Sequence, residues 1–245
     1  TARPRGSRLL ISGTSVGQSY VEIAQNHGLD AIIILGIYPS DDIDAYKEAK
    51  IPLVLVDCYR NDHFFHSVGT NDRHGGYLAT NHLIQRGHRR IAFVSGAVEA
   101  SGVNQKRLFG YRDALDEAGL PFDRDLVFSG NVGYEYGIET ARQIARICPD
   151  VTAIFATADI MAAGVIKGVS EAGLSVPGDI SVVGFDDIFV ANISSPGLTT
   201  VRQNIKEKGR VAVELALDAV DNPSSPKRDV VIPLEIVERD SVRSL

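Results

Sequence analysis

Short, almost uninterrupted apolar runs recur along this chain, separated by longer stretches whose apolar positions repeat every three or four residues. Ile32-Ile33-Ile34-Leu35 and Leu53-Val54-Leu55-Val56 are the clearest runs. A strand is apolar at every position only where both of its faces are covered. Strands are predicted over Arg8–Ser12, Ala31–Leu35, Pro52–Asp57, His66–Thr70, Arg90–Ser95, Leu126–Ser129, Ala153–Ala156, Ile180–Phe185 and Val230–Val237. Helices are predicted near 16–27, 40–49, 73–86, 105–118, 134–146, 159–172 and 205–220. This alternation predicts βαβ crossovers and parallel, doubly wound sheets.

Punctuation supports the boundaries. Asp72 is placed to cap helix 73–86 and Gly87 to end it. Gly173 ends helix 159–172, and Pro177-Gly178 turns the chain into the next strand. Helix 205–220 presents Gly209, Ala212, Val213, Ala216 and Val220 as an amphipathic stripe. Pro233, inside the last predicted strand, marks an edge or a crossing point. No repeat, low-complexity tract or long linker is visible, so a two-lobed chain has to pass between its lobes more than once.

Composition narrows the class. With 245 residues, 44% hydrophobic and 23% charged, the chain has the makings of one large core or two modest ones. Its apolar runs are too short to span a bilayer, and no signal-peptide pattern opens it, so a cytoplasmic protein is expected. Cys58 and Cys148, far apart, suggest neither a disulfide framework nor a zinc site. A net charge of −6 would repel a phosphate backbone, so the chain is not expected to bind DNA by itself.

The sharpest catalytic pattern is Gly13-Thr14-Ser15-Val16-Gly17, which fits the nucleophile elbow of a serine hydrolase between a strand and a helix. That chemistry needs a late histidine, and all six histidines fall within the first 88 residues. The reading that remains is no enzyme, with a hydrolase at Ser15 as the alternative from another class. Phosphate-cradling Gly motifs are absent, and the histidines lack metal-ligand spacing, so they are expected at the surface or behind other groups. Neither a cofactor nor a metal is expected. Polar residues at strand ends are left: Asp57, Thr70 and Asp186-Asp187. Open α/β sheets bind ligands beyond the carboxyl ends of their strands, where carboxylates can accept hydrogen bonds from hydroxyls.

Several segments, in order and spacing, resemble the effector-binding core of the lactose/galactose-repressor (LacI/GalR) family. They are Ile51–Asp57, Gly75–Gly96, Arg107–Leu115, Asp159–Gly164, Val176–Asp187 and Ser195–Gln203. The resemblance covers nearly everything from Arg8 onward. It implies an α/β fold of two similar doubly wound parallel-sheet lobes, periplasmic-binding-protein-like, with a ligand cleft and hinge between them. It places 1–69 and 204–225 in an N-terminal lobe, and 70–203 and 226–245 in a C-terminal lobe. Arg8–Thr14 matches the family's second strand, so the first strand–helix unit and the DNA-binding headpiece are expected to be missing from this chain.

By the same resemblance Arg107 is the ligand-binding arginine and Asp186 the cleft aspartate. Asp57, Thr70, Ser101, Val103, Val132 and Gln203 complete the expected ligand-binding set. Two positions depart from the family pattern: Val132 stands where many members stack an aromatic ring, and Ala158 where sugar binders often carry Asn. The implied partners are a small-molecule effector such as a sugar, operator DNA through the missing headpiece, and a second copy of the chain, with no membrane. A solute-binding protein on the same fold is the nearest alternative. Replacing Arg107 or Asp186 is expected to abolish effector binding and leave the fold largely intact.

Overall fold

A computed structural model describes residues 10–11, 20–36, 43–58, 64–98 and 102–245. Most of the strand expected over Arg8–Ser12, together with Ser15, His63 and Ser101, lies outside the described residues. The chain divides into two compact units: the residues up to Gly69 with Ile205–Ile232, and Thr70–Asn204 with Pro233–Leu245. The last return therefore falls at Ile232–Pro233 instead of the expected 225/226.

In the first unit, β1 (Ile32–Leu35), β2 (Leu53–Val56), β3 (His66–Thr70) and β9 (Asp229–Ile232) form one sheet in the order β1-β2-β3-β9. The β1–β2 and β2–β3 pairs are parallel. Successive residues of β2 face opposite ways, which explains its continuous apolar run. Leu53 and Leu55 pack with Val21 of α1 (Tyr20–His27) and Tyr46 of α2 (Ile43–Ala49). Val54 and Val56 pack with Ala212, Leu215 and Ala216 of α8 (Ile205–Asp221). The buried face of α8 is Lys208, Ala212, Leu215, Ala216 and Ala219, which shares Ala212 and Ala216 with the predicted stripe but leaves Gly209 and Val220 exposed. The face is turned by Lys208, whose ammonium reaches inward to Asp57.

In the second unit the order is β10-β8-β7-β6-β4-β5, with β4 (Ile91–Gly96), β5 (Val127–Gly130), β6 (Ala153–Ala156), β7 (Ser181–Asp186), β8 (Thr199–Gln203) and β10 (Leu234–Val237). All neighbours are parallel except β10, which runs antiparallel to β8. One face packs Ile91, Phe93, Phe155, Val183 and Phe185 against α3 (Asp72–Gln85) and α4 (Val103–Glu117). The other packs Ala92, Val94, Ile154 and Val182 against α5 (Tyr134–Ile147) and α6 (Asp159–Glu171). A short helix, α7 (Phe189–Ile193), follows β7.

Each helix pair meets through glycine. A Cβ on Gly76 would stand 2.1 Å from the Arg107 carbonyl oxygen, and one on Gly110 1.8 Å from that of Arg73, so α3 and α4 touch backbone to backbone. Gly137 and Gly164 do the same for α5 and α6, at 2.2 Å from the Met161 oxygen and 2.0 Å from the Tyr134 oxygen.

Strand β8 and helix α7 carry no apolar run long enough to predict them. In β8 the buried Thr199 and Thr200 stand where aliphatic residues would be expected, and each is hydrogen-bonded. The final predicted strand is two: β9 joins one sheet and β10 the other, with Pro233 between them. Three histidines are core residues, contrary to expectation: His66 and His88 are sealed and His82 nearly so. Hydrogen bonds to Thr152 and the Arg243 carbonyl make the buried His88 ring tolerable.

Candidate functional site

The carboxyl ends of β4, β6, β7 and β8 gather polar side chains on the second unit. Arg107 lies in the second turn of α4 and is 7% exposed. Its Nε donates to Asp72 Oδ1 at 2.7 Å, and its Nη1 to the Thr157 carbonyl, just past β6, at 2.6 Å. The guanidinium lies 3.6 Å from the centroid of the Phe185 ring, the residue before Asp186. A planar cation is thus held at its edge by a carboxylate and a carbonyl and on its face by a ring.

Asp72 does not cap α3 as predicted. Asn71 does, accepting from the His74 N–H at 3.0 Å. Asp72 is 1% exposed and accepts from Arg107 and from the Thr70 hydroxyl, the latter at 3.2 Å. Removing Arg107 would take away the guanidinium that pairs with this buried carboxylate, a loss that bears on the fold as well as on any ligand.

Asp186, the last residue of β7, has φ of 112°, and Gln203, the last of β8, donates to its Oδ1 at 2.5 Å. Asp187 follows with φ of 56° and accepts from Arg202 and Arg239, each at 2.6 Å. Burial works to raise the Asp187 carboxyl, but the two arginine hydrogen bonds outweigh it and hold it below the usual range. Asp159, at the start of α6, is fully buried. It accepts from the Thr200 hydroxyl at 2.6 Å and the Ile188 N–H at 2.8 Å. Burial pushes it up to about 7, against those hydrogen bonds and with the help of the Asp186 and Asp187 charges.

On the second unit Arg107 and Thr70 therefore meet through Asp72, and Gln203 meets Asp186 directly. Val132 is 58% exposed, and its Cγ2 fills the space where Gly96, ending β4, lacks a side chain. Val103 is half-buried at the start of α4. Asp57 is not in this group. It belongs to the first unit, where both of its carboxylate oxygens accept from the buried Lys208 ammonium at 2.8 Å. The lysine is buried and the aspartate half-buried, and spacing alone could not reveal a partner 151 residues away.

The structure adds residues the sequence reading did not single out. Asn104 accepts from the Thr157 hydroxyl and donates to the Ala97 carbonyl, each at 3.2 Å. Asp159 opens the Asp159–Gly164 segment but signals no role there, and Arg239 is one of two arginines after β10, with nothing in its neighbours to mark it. Among the described residues no group of three His, Cys, Asp or Glu could hold a metal ion, and no helix is long and apolar enough to cross a membrane.

Two doubly wound α/β units, one carrying a buried Arg–Asp pair beside strand-end carboxylates, define a periplasmic-binding-protein-like ligand module. Residues 80–242 match the family described as periplasmic binding protein-like domain. The HTH-type transcriptional repressor PurR of Vibrio atlanticus (strain LGP32) is 33% identical over 230 residues, which are 93% of this chain and 69% of that protein. A LacI family transcriptional regulator from Enterococcus faecium, solved with bound ribose, superposes with a TM-score of 0.82 at 29% identity, covering 92% of this chain and 84% of the other. The lac repressor dimer bound to operator and the anti-inducer ONPF gives a TM-score of 0.80 at 25% identity, covering 91% and 77%. The chain belongs to the LacI/GalR family of transcriptional regulators and corresponds to that family's effector-binding core.

Proposed function

We propose that this chain senses a small polar metabolite for a bacterial transcriptional repressor and catalyses no reaction. The effector binds at the carboxyl ends of the second unit's strands, against Arg107, Asp186 and Gln203. The protein works in the cytoplasm as a homodimer and contacts operator DNA through a helix-turn-helix headpiece outside this chain. Effector binding shifts a two-state equilibrium and so changes operator affinity, by a factor that operator binding returns. The observation that carries the reading is the buried Arg107, fixed by Asp72, Thr157 and Phe185 beside a turn that bears Asp186. Such a clamp presents a charged fork to a ligand with little freedom left to lose. The similarity to regulators solved with ribose and with operator supports the same assignment.

The test is a thermal-shift screen against pentoses, hexoses, polyols, nucleobases and phosphorylated metabolites, followed by calorimetry on hits. A ligand at 100 times its Kd stabilises by about 2.7 kcal/mol, well within detection. Asp186→Asn should weaken a hit by roughly tenfold to a hundredfold, since a charged hydrogen bond is worth about 1.5–3 kcal/mol. Unchanged affinity in that variant would overturn the site.

A further inference from the structure

The turn that carries Asp186 is held in an unusual shape. Asp186 and Asp187 are consecutive non-glycine residues with positive φ, 112° and 56°, a region that residues with a Cβ avoid. Something must hold them there. Asp187 is the handle: its side chain is 7% exposed, and one arginine takes each of its oxygens. Arg202 comes from the adjacent strand β8, whereas Arg239 comes from the segment after β10, 52 residues further along the chain.

Arg239 reaches further than an ion pair requires. Its Nη2 donates to Asp187 Oδ1 at 2.6 Å and to Asn192 Oδ1 of α7 at 2.9 Å. Its Nη1 donates to the Leu198 carbonyl at 2.7 Å, before β8. The fork therefore spans the turn, the helix after it and the entry to the next strand. The tail does not need this fork to stay docked. Ser241 donates to the Val182 carbonyl at 2.6 Å and its own carbonyl accepts from the Val182 N–H at 2.8 Å. The Arg243 N–H donates to Ser181 Oγ at 3.0 Å, and the Leu245 N–H to the Arg86 carbonyl at 2.8 Å. The Arg239 N–H also donates to Thr199 Oγ1 at 2.9 Å, so the tail is anchored by backbone and by Ser241, Arg243 and Leu245, apart from the Arg239 side chain.

We propose that Arg239 is a positioning residue for the effector: through Asp187 it sets the turn that presents Asp186, and its loss weakens effector binding without releasing the tail. The proposal rests on the reading of Asp186 as an effector contact. Its test uses crystal structures and melting curves of the whole chain as wild type, Arg239→Ala and Arg239→Lys, with D-ribose titrated by calorimetry. In Arg239→Ala, residues 186 and 187 should leave positive φ while 240–245 keep their contacts to 181–182. Arg239→Lys should retain the turn. A turn unmoved in Arg239→Ala overturns the proposal, and so does a turn that moves only together with residues 240–245, because Arg239 is then a plain anchor. Where D-ribose binds the wild type, Arg239→Ala should lose about tenfold in affinity, about 1.4 kcal/mol, and Arg239→Lys should recover most of it. A wild type that ignores D-ribose counts against ribose as effector, while the coordinates of the turn still decide the role of Arg239.

Discussion

Three buried aspartates on the second unit are stabilised in three ways, and the differences predict how the protein responds to pH. Asp72 is neutralised by Arg107 and Asp187 by two arginines, whereas Asp159 is met only by a hydroxyl and an amide N–H. Neutral donors cannot offset its burial, so its carboxyl is pushed up to about 7 from an ordinary 3.8. The folded state then holds the proton more tightly than the unfolded chain. It binds more protons between about pH 4 and 7, and stability falls as pH rises through that window. Asp159→Asn removes the titration and can keep both contacts, with its oxygen toward the Ile188 N–H and its amide toward the Thr200 hydroxyl. In urea unfolding the wild type should lose stability relative to this variant between pH 5 and pH 8. The buried His66, His82 and His88, whose values burial lowers, act in the opposite sense, losing stability as pH falls below 6.5, and cancel in the comparison. Parallel curves for the two proteins would refute the assignment.

At the level of elements, the helix pairs are set by glycines that have no space for a side chain. Gly164→Ala would gain about 1 kcal/mol of helix propensity in an isolated helix. Here its new Cβ would stand 2.0 Å from the backbone oxygen of Tyr134, which cannot swing away as a side chain could. The overpacking, about 1–3 kcal/mol, should outweigh that gain and leave a net loss of up to about 2 kcal/mol, read as a lower urea midpoint with an unchanged slope. An unchanged or raised midpoint would show that α5 and α6 separate freely.

Continuous apolar runs reveal β2, β4, β6 and β7, because strands covered on both faces need no polar positions. Strand β8 is hidden because two of its three buried positions are threonines, legible only once Asp159 and Ser241 are known to satisfy them. Of the proposed site, the resemblance supplies Arg107, Asp186 and Gln203. Nothing in the spacing announces that Asp72 belongs to Arg107 instead of the cap, that Lys208 claims Asp57, or that Arg239 grips Asp187. Those are pairings between distant positions, and a linear pattern carries no distance.

On the scale of the whole molecule, the chain crosses between its units at Gly69–Thr70, Asn204–Ile205 and Ile232–Pro233. Synthesis runs in one direction, so the second unit waits for its closing strand until α8 and β9 of the first unit have been made. Until β10 arrives, β8 is an open edge of threonine and valine, the kind of surface that recruits stray strands. The same thirteen residues, 233–245, also bring Arg239 to the turn and Ser241 to Val182. The turn at Asp186 and Asp187 is therefore complete only once residues 233–245 have been made. A chain ending at Ile232 should be proteolysed readily in its second unit, and a peptide of residues 233–245 should restore resistance when added in trans. Equal resistance of the shortened chain and the intact one would show that the edge closes without it. If the peptide does restore the fold, this strand is a natural place to split the protein into two parts that report on each other's presence.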